Sequence, residues 1–139
     1  MTRADEEFVA KLGGSAFSEY ARDPGAGVLA MARRGRAVVA TEGDALVGFA
    51  IIELSGHRQA HLAAITVAEE ARGRGVAHAL LRAAENVARS EGAPSLGLVT
   101  ADSNLAALEL FLESGFERVA KLPRYYQRGQ NAVRMEKVL

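Results

Sequence analysis

A glycine-rich turn ahead of a predicted helix has the residue types best suited to binding chemistry. The turn consists of Arg72, Gly73, Arg74, Gly75, Val76 and Ala77. The first turn of a helix leaves four backbone N–H groups without helical partners and carries a partial positive charge. Glycines let this backbone approach an anion closely, and the two arginines add charge and paired donors. The pattern predicts that the turn binds an anion, most simply a phosphate group.

Two other phosphate-binding motifs do not fit this segment. A Walker A loop ends in Gly-Lys-Ser/Thr, which is absent here. The Rossmann fingerprint requires a third glycine at the position that His78 occupies. The sequence also has no cysteine and no Gly-x-Ser-x-Gly motif, so neither common covalent nucleophile is indicated. Any group transfer is therefore expected to be direct, within a ternary complex.

A metal site is not predicted. His57 and His61 have the spacing of two ligands on a helix, but they fall on a predicted loop and a predicted strand. No third ligand accompanies them, and the lack of cysteine excludes thiolate ligands.

Hydrophobic periodicity predicts the elements that hold the turn. Apolar residues at helical spacing indicate a helix over Val76–Ser90, directly after the turn. A strand over Ala60–Val67 precedes it, and a buried strand over residues 96–100 follows it. A strand–helix–strand unit implies a crossover and one parallel pair. Regular alternation in the first of these strands would place His61, Ala63, Ile65 and Val67 on one face.

The remaining pattern is that of helices at the start and hairpins around the central unit. A first helix is expected to be interrupted at Gly13 and Gly14, and a second short helix is expected over residues 28–33. Asp102 or Ser103 is expected to cap a helix that ends near Ser114. Further strands are predicted at residues 37–41, 45–54, 116–122 and 132–138. The sheet is therefore mixed.

Composition is that of one ordinary globular domain spanning residues 1–139. The 17 basic and 17 acidic residues cancel, so no global field favours nucleic acid or membrane. The polar N-terminus does not have the pattern of a secretory signal, and no apolar stretch approaches the roughly 20 residues of a membrane span. A cytoplasmic location is expected.

The turn and its surroundings resemble the GCN5-related N-acetyltransferase (GNAT) family. Residues 72–77 fit the family's coenzyme A loop, Gln/Arg-x-x-Gly-x-Gly/Ala, in full. Ile65, Thr66 and Val67 look like the family's splayed strand, whose backbone pairs with the pantetheine arm of the cofactor. Asn104 stands where the family often has an asparagine that contacts this arm. Residues 110–116 are similar to its helix ending and Gly-Phe signature. The resemblance covers roughly residues 36–139.

The resemblance implies an acetyl-CoA-dependent N-acetyltransferase that acts on a primary amine. It implies a mixed, mostly antiparallel sheet with a splayed parallel pair and about four helices, the first strand being short or missing. The tail at residues 124–132 looks most like the branch that acetylates protein N-termini, including ribosomal-protein alanine acetyltransferases. A small-molecule amine acetyltransferase and a non-catalytic CoA-binding module are the alternatives. A homodimer is one possible assembly.

Both catalytic positions of the family carry other residues in this sequence. Val99 stands where the N-terminal branch has a carboxylate or histidine, and Phe111 stands where the family has a tyrosine acid. His61 is similar in position to the base of several members, and an imidazole with a pKa near 6.5 suits that task. Tyr125 and Tyr126 could protonate the leaving thiolate or bind the acceptor. The alternatives are a histidine without a role and tyrosines that pack on the core.

Overall fold

A computed structural model describes residues 3–16, 35–55 and 59–139. Three α-helices lie in these ranges: α1 (Arg3–Ala16), α2 (Val76–Ser90) and α3 (Leu105–Glu113). The first three strands are β1 (Arg36–Glu42), β2 (Ala45–Leu54) and β3 (Ala60–Val67). The last three are β4 (Ser95–Ala101), β5 (Glu117–Leu122) and β6 (Ala132–Val138). The helix predicted over residues 28–33 and the metal candidate His57 lie outside the described residues.

The six strands form one sheet in the order β1-β2-β3-β4-β6-β5. Every neighbouring pair is antiparallel except β3 and β4, which are joined by the crossover through α2 and run parallel. Their pairing covers only Ala60–Leu62 against Leu96–Leu98. Beyond Leu62 and Leu98 the two strands separate. The predicted mixed sheet with a splayed parallel pair is confirmed.

Apolar residues cover both faces of the sheet. On one face α2 and α3 pack through buried residues such as Leu80, Leu81 and Phe111. On the other face α1 packs Val9, which is fully buried, against Phe49, Ile51 and Ala64. Ala50 and Ile52 of β2 belong to the first core and Phe49 and Ile51 to the second, as alternation along a strand requires.

A β-bulge in β3 overturns the predicted regular alternation. The pairing of β2 with β3 passes from Ile51 opposite Ala64 to Ile52 opposite Leu62, so Ala63 is an extra residue. Ala63 and Ala64 consequently both pack on the α1 face, whereas Leu62, Ile65 and Val67 pack on the α2 face. His61 alternates with Leu62 and therefore projects from the α1 face. The expectation that His61 shares a face with Ile65 and Val67 was wrong.

Two predictions about helix ends were also wrong. Helix α1 continues through Gly13 and Gly14 to Ala16, so the glycines do not interrupt it. A helical glycine costs only about 1 kcal/mol relative to alanine, and the helix is held by the packing of Val9. Helix α3 is capped by Asn104, whose side-chain oxygen accepts the Ala107 N–H at 3.2 Å. Asp102 and Ser103 precede it in the turn, one or two residues too early to cap.

A buried ion pair fixes α2 to the sheet. Glu85 of α2 is 4% exposed, and its carboxylate lies 2.6 Å from the Lys137 ammonium of β6 and 3.7 Å from the Arg89 guanidinium. Removing one member of a buried pair leaves an incompletely compensated charge. The pair therefore couples the helix that carries the glycine turn to the far half of the sheet.

Lys137→Met is expected to lower the free energy of unfolding by about 2–4 kcal/mol, because Glu85 then keeps only the more distant Arg89. Urea unfolding followed by circular dichroism measures the change. The double variant Glu85→Leu/Lys137→Met should recover most of the loss, since no buried charge remains. A single variant as stable as the parent would show that the pair does not hold α2.

Candidate active site

The separation of β3 and β4 leaves a slot in the middle of the sheet. The part of β3 beyond Leu62 pairs with β2 along one edge and has no register with β4 along the other. Ile65 is half-buried, and Thr66 and Val67 are buried. Unpaired strand edges bind extended chains through backbone hydrogen bonds. This edge of β3 can therefore pair with an extended, amide-containing ligand.

The glycine turn lies at the open end of the slot, between a short 3-10 turn (Glu69–Ala71) and α2. Gly73 and Gly75 have φ values of 79° and 80°, a region that glycine adopts without strain. A Cβ atom on either glycine would meet nothing within 4 Å, so the surface of the turn is open. Gly75 is the N-cap of α2 and no side chain caps the helix. The first amides of α2, beginning at Val76 and Ala77, thus lack a side-chain cap and border open space.

Both arginines of the turn, predicted to bind the anion, are hydrogen-bonded to other groups of the protein. The Arg72 Nε donates to the Val67 carbonyl at 3.2 Å, which ties the turn to the end of β3. The Arg74 Nη1 lies 2.6 Å from the Glu42 carboxylate of β1, and its Nη2 donates to the Glu70 carbonyl at 3.1 Å. An anion that recruits Arg74 must therefore compete with Glu42.

If the turn binds acetyl-CoA as the resemblance implies, Glu42→Gln is expected to tighten that binding by up to about fivefold, because an exposed ion pair is worth about 0.2–1 kcal/mol. Isothermal titration calorimetry measures the dissociation constant. Glu91→Gln is the matched control, since Glu91 makes the exposed ion pair with Arg36 at 3.0 Å elsewhere on the surface. Weaker binding in the Glu42 variant alone would mean that Glu42 holds Arg74 in its binding position.

Asn104 and one end of the loop that carries the tyrosines lie beyond the end of β4, the strand that forms the other wall of the slot. Asn104 directly precedes α3, and its N–H donates to the Ala101 carbonyl at 3.1 Å. The loop of residues 123–131 reaches the same place because the Asn131 carbonyl accepts the Asp102 N–H at 3.1 Å. In this loop the rings of Tyr125 and Tyr126 meet edge to face at 5.1 Å.

The two tyrosines differ in accessibility. Tyr125 is 53% exposed, whereas Tyr126 is half-buried. The loop backbone is bonded to Asp102, the residue that follows β4. Asp102 is five residues beyond Gly97, the partner of His61, and five residues of strand span roughly 16 Å. The structure therefore places the backbone of the tyrosine loop at the open end of the slot and His61 at the closed end.

His61 lies in a groove on the α1 face of the sheet, between Glu53 of β2 and Gly97 of β4. Arg134 and Glu136 of β6 line the same groove. The histidine is exposed overall, but nearby protein atoms displace water from its ring and lower its pKa from 6.5, while the Glu53 carboxylate opposes the shift. The imidazole is consequently neutral at pH 7 and able to accept a proton.

The two positions that depart from the family pattern carry apolar side chains, one buried in the core and one half-buried. Phe111 is 3% exposed and packs its ring on Phe116 at 5.7 Å within the α2-side core. Val99 is half-buried on β4 and pairs with Arg134 of β6. Neither side chain can transfer a proton. Among the predicted catalytic groups, only His61 and the tyrosines have suitable chemistry.

Sequence reasoning did not identify Glu53, Gly97, Arg134 and Glu136 as neighbours of His61. They come from three strands and meet only through strand register. Within the described ranges no group of three histidine, cysteine or acidic side chains could hold a metal ion. The helices of those ranges include none long and apolar enough to cross a membrane.

A mixed sheet, a slot between splayed parallel strands and a glycine turn at a helix N-terminus are together the features of the class of coenzyme A-dependent acyltransferases that the sequence resembles. The family model described as the acetyltransferase (GNAT) family matches residues 5–116. The chain belongs to this family. It is an N-acetyltransferase, and acetyl-CoA is its cosubstrate.

Individual relatives have related activities. N-alpha-acetyltransferase 30 from Schizosaccharomyces pombe is 33% identical over 100 residues, covering 69% of this chain and 67% of the relative. The structure of Ard1 from Thermoplasma volcanium is 26% identical with a TM-score of 0.89, covering 100% and 94% of the two chains. Nourseothricin acetyltransferase is 31% identical with a TM-score of 0.70, covering 76% and 65%. The chain spans 49% of a second curated relative.

Proposed function

We propose that this enzyme acetylates the α-amine of a protein or peptide N-terminus by direct attack on acetyl-CoA. The observation that carries the proposal is the slot between β3 and β4, with the open glycine turn at one end and His61 at the other. This arrangement offers a place for each part of the donor and a base for the acceptor.

The turn and the slot would bind the cofactor in one direction. Backbone amides from Gly73 to Ala77 would hold the pyrophosphate, with Arg72 and Arg74 adding charge. The pantetheine arm would then run back along β3, pairing with Ile65 and Val67, with Asn104 beside it. From Val67 to Leu62 is roughly 16 Å of strand, so an extended arm ends near the closed end of the slot. The thioester would therefore lie close to His61.

The chemistry places modest demands on the protein. An α-amine has a pKa of about 8, so part of it is already neutral at physiological pH. The amine nitrogen attacks the thioester carbonyl, the carbon–sulfur bond breaks, and coenzyme A leaves as a thiolate. His61 would accept the amine proton. The loop with Tyr125 and Tyr126 is at the other end of the slot, so their hydroxyls would bind the acceptor chain, and the leaving thiolate would take its proton from water. Holding the reactants in contact supplies much of the acceleration.

The acceptor assignment has its own support. The loop with Tyr125 and Tyr126 stands at the open end of the slot, and Tyr125 is exposed enough to contact an acceptor. The similarity to an N-alpha-acetyltransferase and to Ard1 favours a peptide. The similarity to nourseothricin acetyltransferase favours the second candidate, a small-molecule amine as acceptor.

A cytoplasmic location and a homodimer remain predictions.

Thiol release from acetyl-CoA measures the activity. The purified protein would be given peptides with free N-termini, the same peptides with blocked N-termini, and a panel of aminoglycoside, streptothricin and polyamine amines. Turnover of the free peptides alone, with mass spectrometry placing the acetyl group on the α-amine, supports the proposal. Turnover of small amines alone supports the second candidate. Calorimetric binding of acetyl-CoA without any turnover would identify a CoA-binding module.

A further inference from the structure

Gly97 is a glycine that the backbone does not require. A glycine inside a strand weakens it because the position contributes no side-chain packing. The φ angle of Gly97 is not in the left-handed region, in contrast to those of Gly73 and Gly75. A Cβ atom at this position would lie 3.8 Å from the Met135 carbonyl oxygen and 4.0 Å from that of Ala60, which are ordinary contacts. The chain itself would accept a larger residue.

Gly48 shows what a required glycine looks like in the same sheet. A Cβ atom there would lie 2.9 Å from the Thr66 carbonyl oxygen and 3.0 Å from a Leu80 methyl group. Backbone packing excludes a side chain at Gly48. Since no such contact exists at Gly97, the reason for a glycine must be sought above the sheet.

The side-chain atom nearest to the missing Cβ of Gly97 belongs to His61. The Nδ1 of His61 is 4.0 Å from that Cβ position, so the imidazole of β3 leans across the parallel pair towards β4. Leu96 and Leu98 face the α2 core. Gly97 alternates with them and therefore faces the α1 side of the sheet, where the imidazole lies. Atoms beyond a Cβ at this position would enter the space of the ring.

Charged groups stand on both sides of the imidazole. Glu53 of β2 is directly opposite His61 in the register, and Glu136 of β6 is directly opposite Gly97. Arg134 of β6 completes the groove, and β4 itself contributes no charged residue. A side chain at position 97 would turn the imidazole away from β4, towards Glu53 and solvent.

We propose that Gly97 is a positioning residue for acetyl transfer: its lack of a side chain lets the His61 imidazole lie over β4 at the closed end of the slot. The inference rests on the proposed role of His61 as base. Leu62 and Leu98, the pair at which the two strands begin to separate, immediately follow His61 and Gly97. The imidazole ring therefore lies beside the expected position of the thioester.

Gly97→Ala and Gly97→Val test the proposal as a graded series. Valine suits a strand, so both variants are expected to fold, and thermal unfolding checks this. The kcat for the best acceptor should fall less than threefold with alanine and at least tenfold with valine, while the dissociation constant of acetyl-CoA stays unchanged. NMR titration should show the pKa of His61 rising towards its ordinary value in the valine variant, because the displaced ring gains water.

The double variant His61→Ala/Gly97→Val separates positioning from other roles. If Gly97 acts through His61, the double variant is no slower than His61→Ala alone. A further tenfold loss in the double variant would overturn the proposal. So would a raised acceptor KM with unchanged kcat and pH profile in Gly97→Val, since Gly97 would then form only the floor of an acceptor groove. A His61→Ala enzyme with full activity would refute the base role, while the NMR titration would still test the placement of the ring.

Discussion

Replacing His61 by alanine is expected to lower kcat by about 100-fold or more while leaving acetyl-CoA binding unchanged. General-base catalysis by a positioned side chain contributes typically about 10²–10⁴-fold. His61 lies at the closed end of the slot, and the lowering of its pKa favours its neutral form at pH 7. The turn that would bind the pyrophosphate is at the other end of the slot, so the cofactor affinity should not depend on His61.

The dependence of activity on pH follows from the protonation of His61. The pKa of His61 is lowered from 6.5, so the base stays neutral at pH 6.5 and is lost to protonation only as the pH falls further. The kcat/KM of the parent enzyme, which reports the groups of the free enzyme and free acceptor, should therefore decline on an acid limb below pH 6.5. His61→Ala and His61→Gln should lack this limb and keep only the effect of the acceptor amine near pH 8.

Two outcomes would contradict the assignment. An acid limb that persists in both His61 variants would belong to another group. A loss of acetyl-CoA affinity equal to the loss of kcat would mean that His61 supports the cofactor site, and the amine proton would then have to pass to water. Titration calorimetry with acetyl-CoA and steady-state kinetics on the same preparations separate these cases.

The parts of the site that depend on local signals could be predicted from the sequence. The bounds of α2 matched the prediction because its apolar spacing and the glycines before it are local features. The splayed strand and the glycine turn followed from the same stretch and from the family pattern. The prediction of the α3 cap missed by one or two residues, since Asp102, Ser103 and Asn104 all have side chains that can cap.

The parts that depend on pairing between strands could not be predicted. The bulge at Ala63 is visible only when β2 and β3 are in register, and it moves Ile65 and Val67 to the face opposite His61. The row formed by Glu53, His61, Gly97 and Glu136 likewise draws on four strands. A one-residue change of register would place these side chains on the other face. Periodicity in one segment holds no information about such a row.

Replacing Gly75 by alanine is expected to weaken acetyl-CoA binding by about 10- to 100-fold, a loss of about 1.4–2.8 kcal/mol. Gly75 has a φ of 80° at the N-cap of α2, and its absent side chain faces open space. A methyl group there would stand between the pyrophosphate and the first amides of the helix. The amides at a helix N-terminus bind anions only at hydrogen-bond distance, so displacing the ligand removes most of the interaction.

Gly92 provides a matched control at the other end of the same helix. Its φ is also 80°, and a Cβ atom there would also meet nothing within 4 Å. Gly75→Ala and Gly92→Ala should each cost about 1–2 kcal/mol of stability, because alanine is strained in the left-handed region. Their melting temperatures should therefore fall by similar amounts, and only Gly75→Ala should lose affinity for acetyl-CoA.

The comparison of these two variants decides whether the turn binds the cofactor. Equal losses of affinity would mean that the helix is disturbed as a whole and that the open surface of the turn has no direct role. Unchanged affinity in Gly75→Ala would place the pyrophosphate elsewhere, and the direction proposed for the pantetheine arm along β3 would then be wrong. Weaker binding in Gly75→Ala alone, with kcat at saturating acetyl-CoA close to that of the parent, is the expected result. It would assign the turn to cofactor binding and leave proton transfer to the closed end of the slot, where His61 and Gly97 lie.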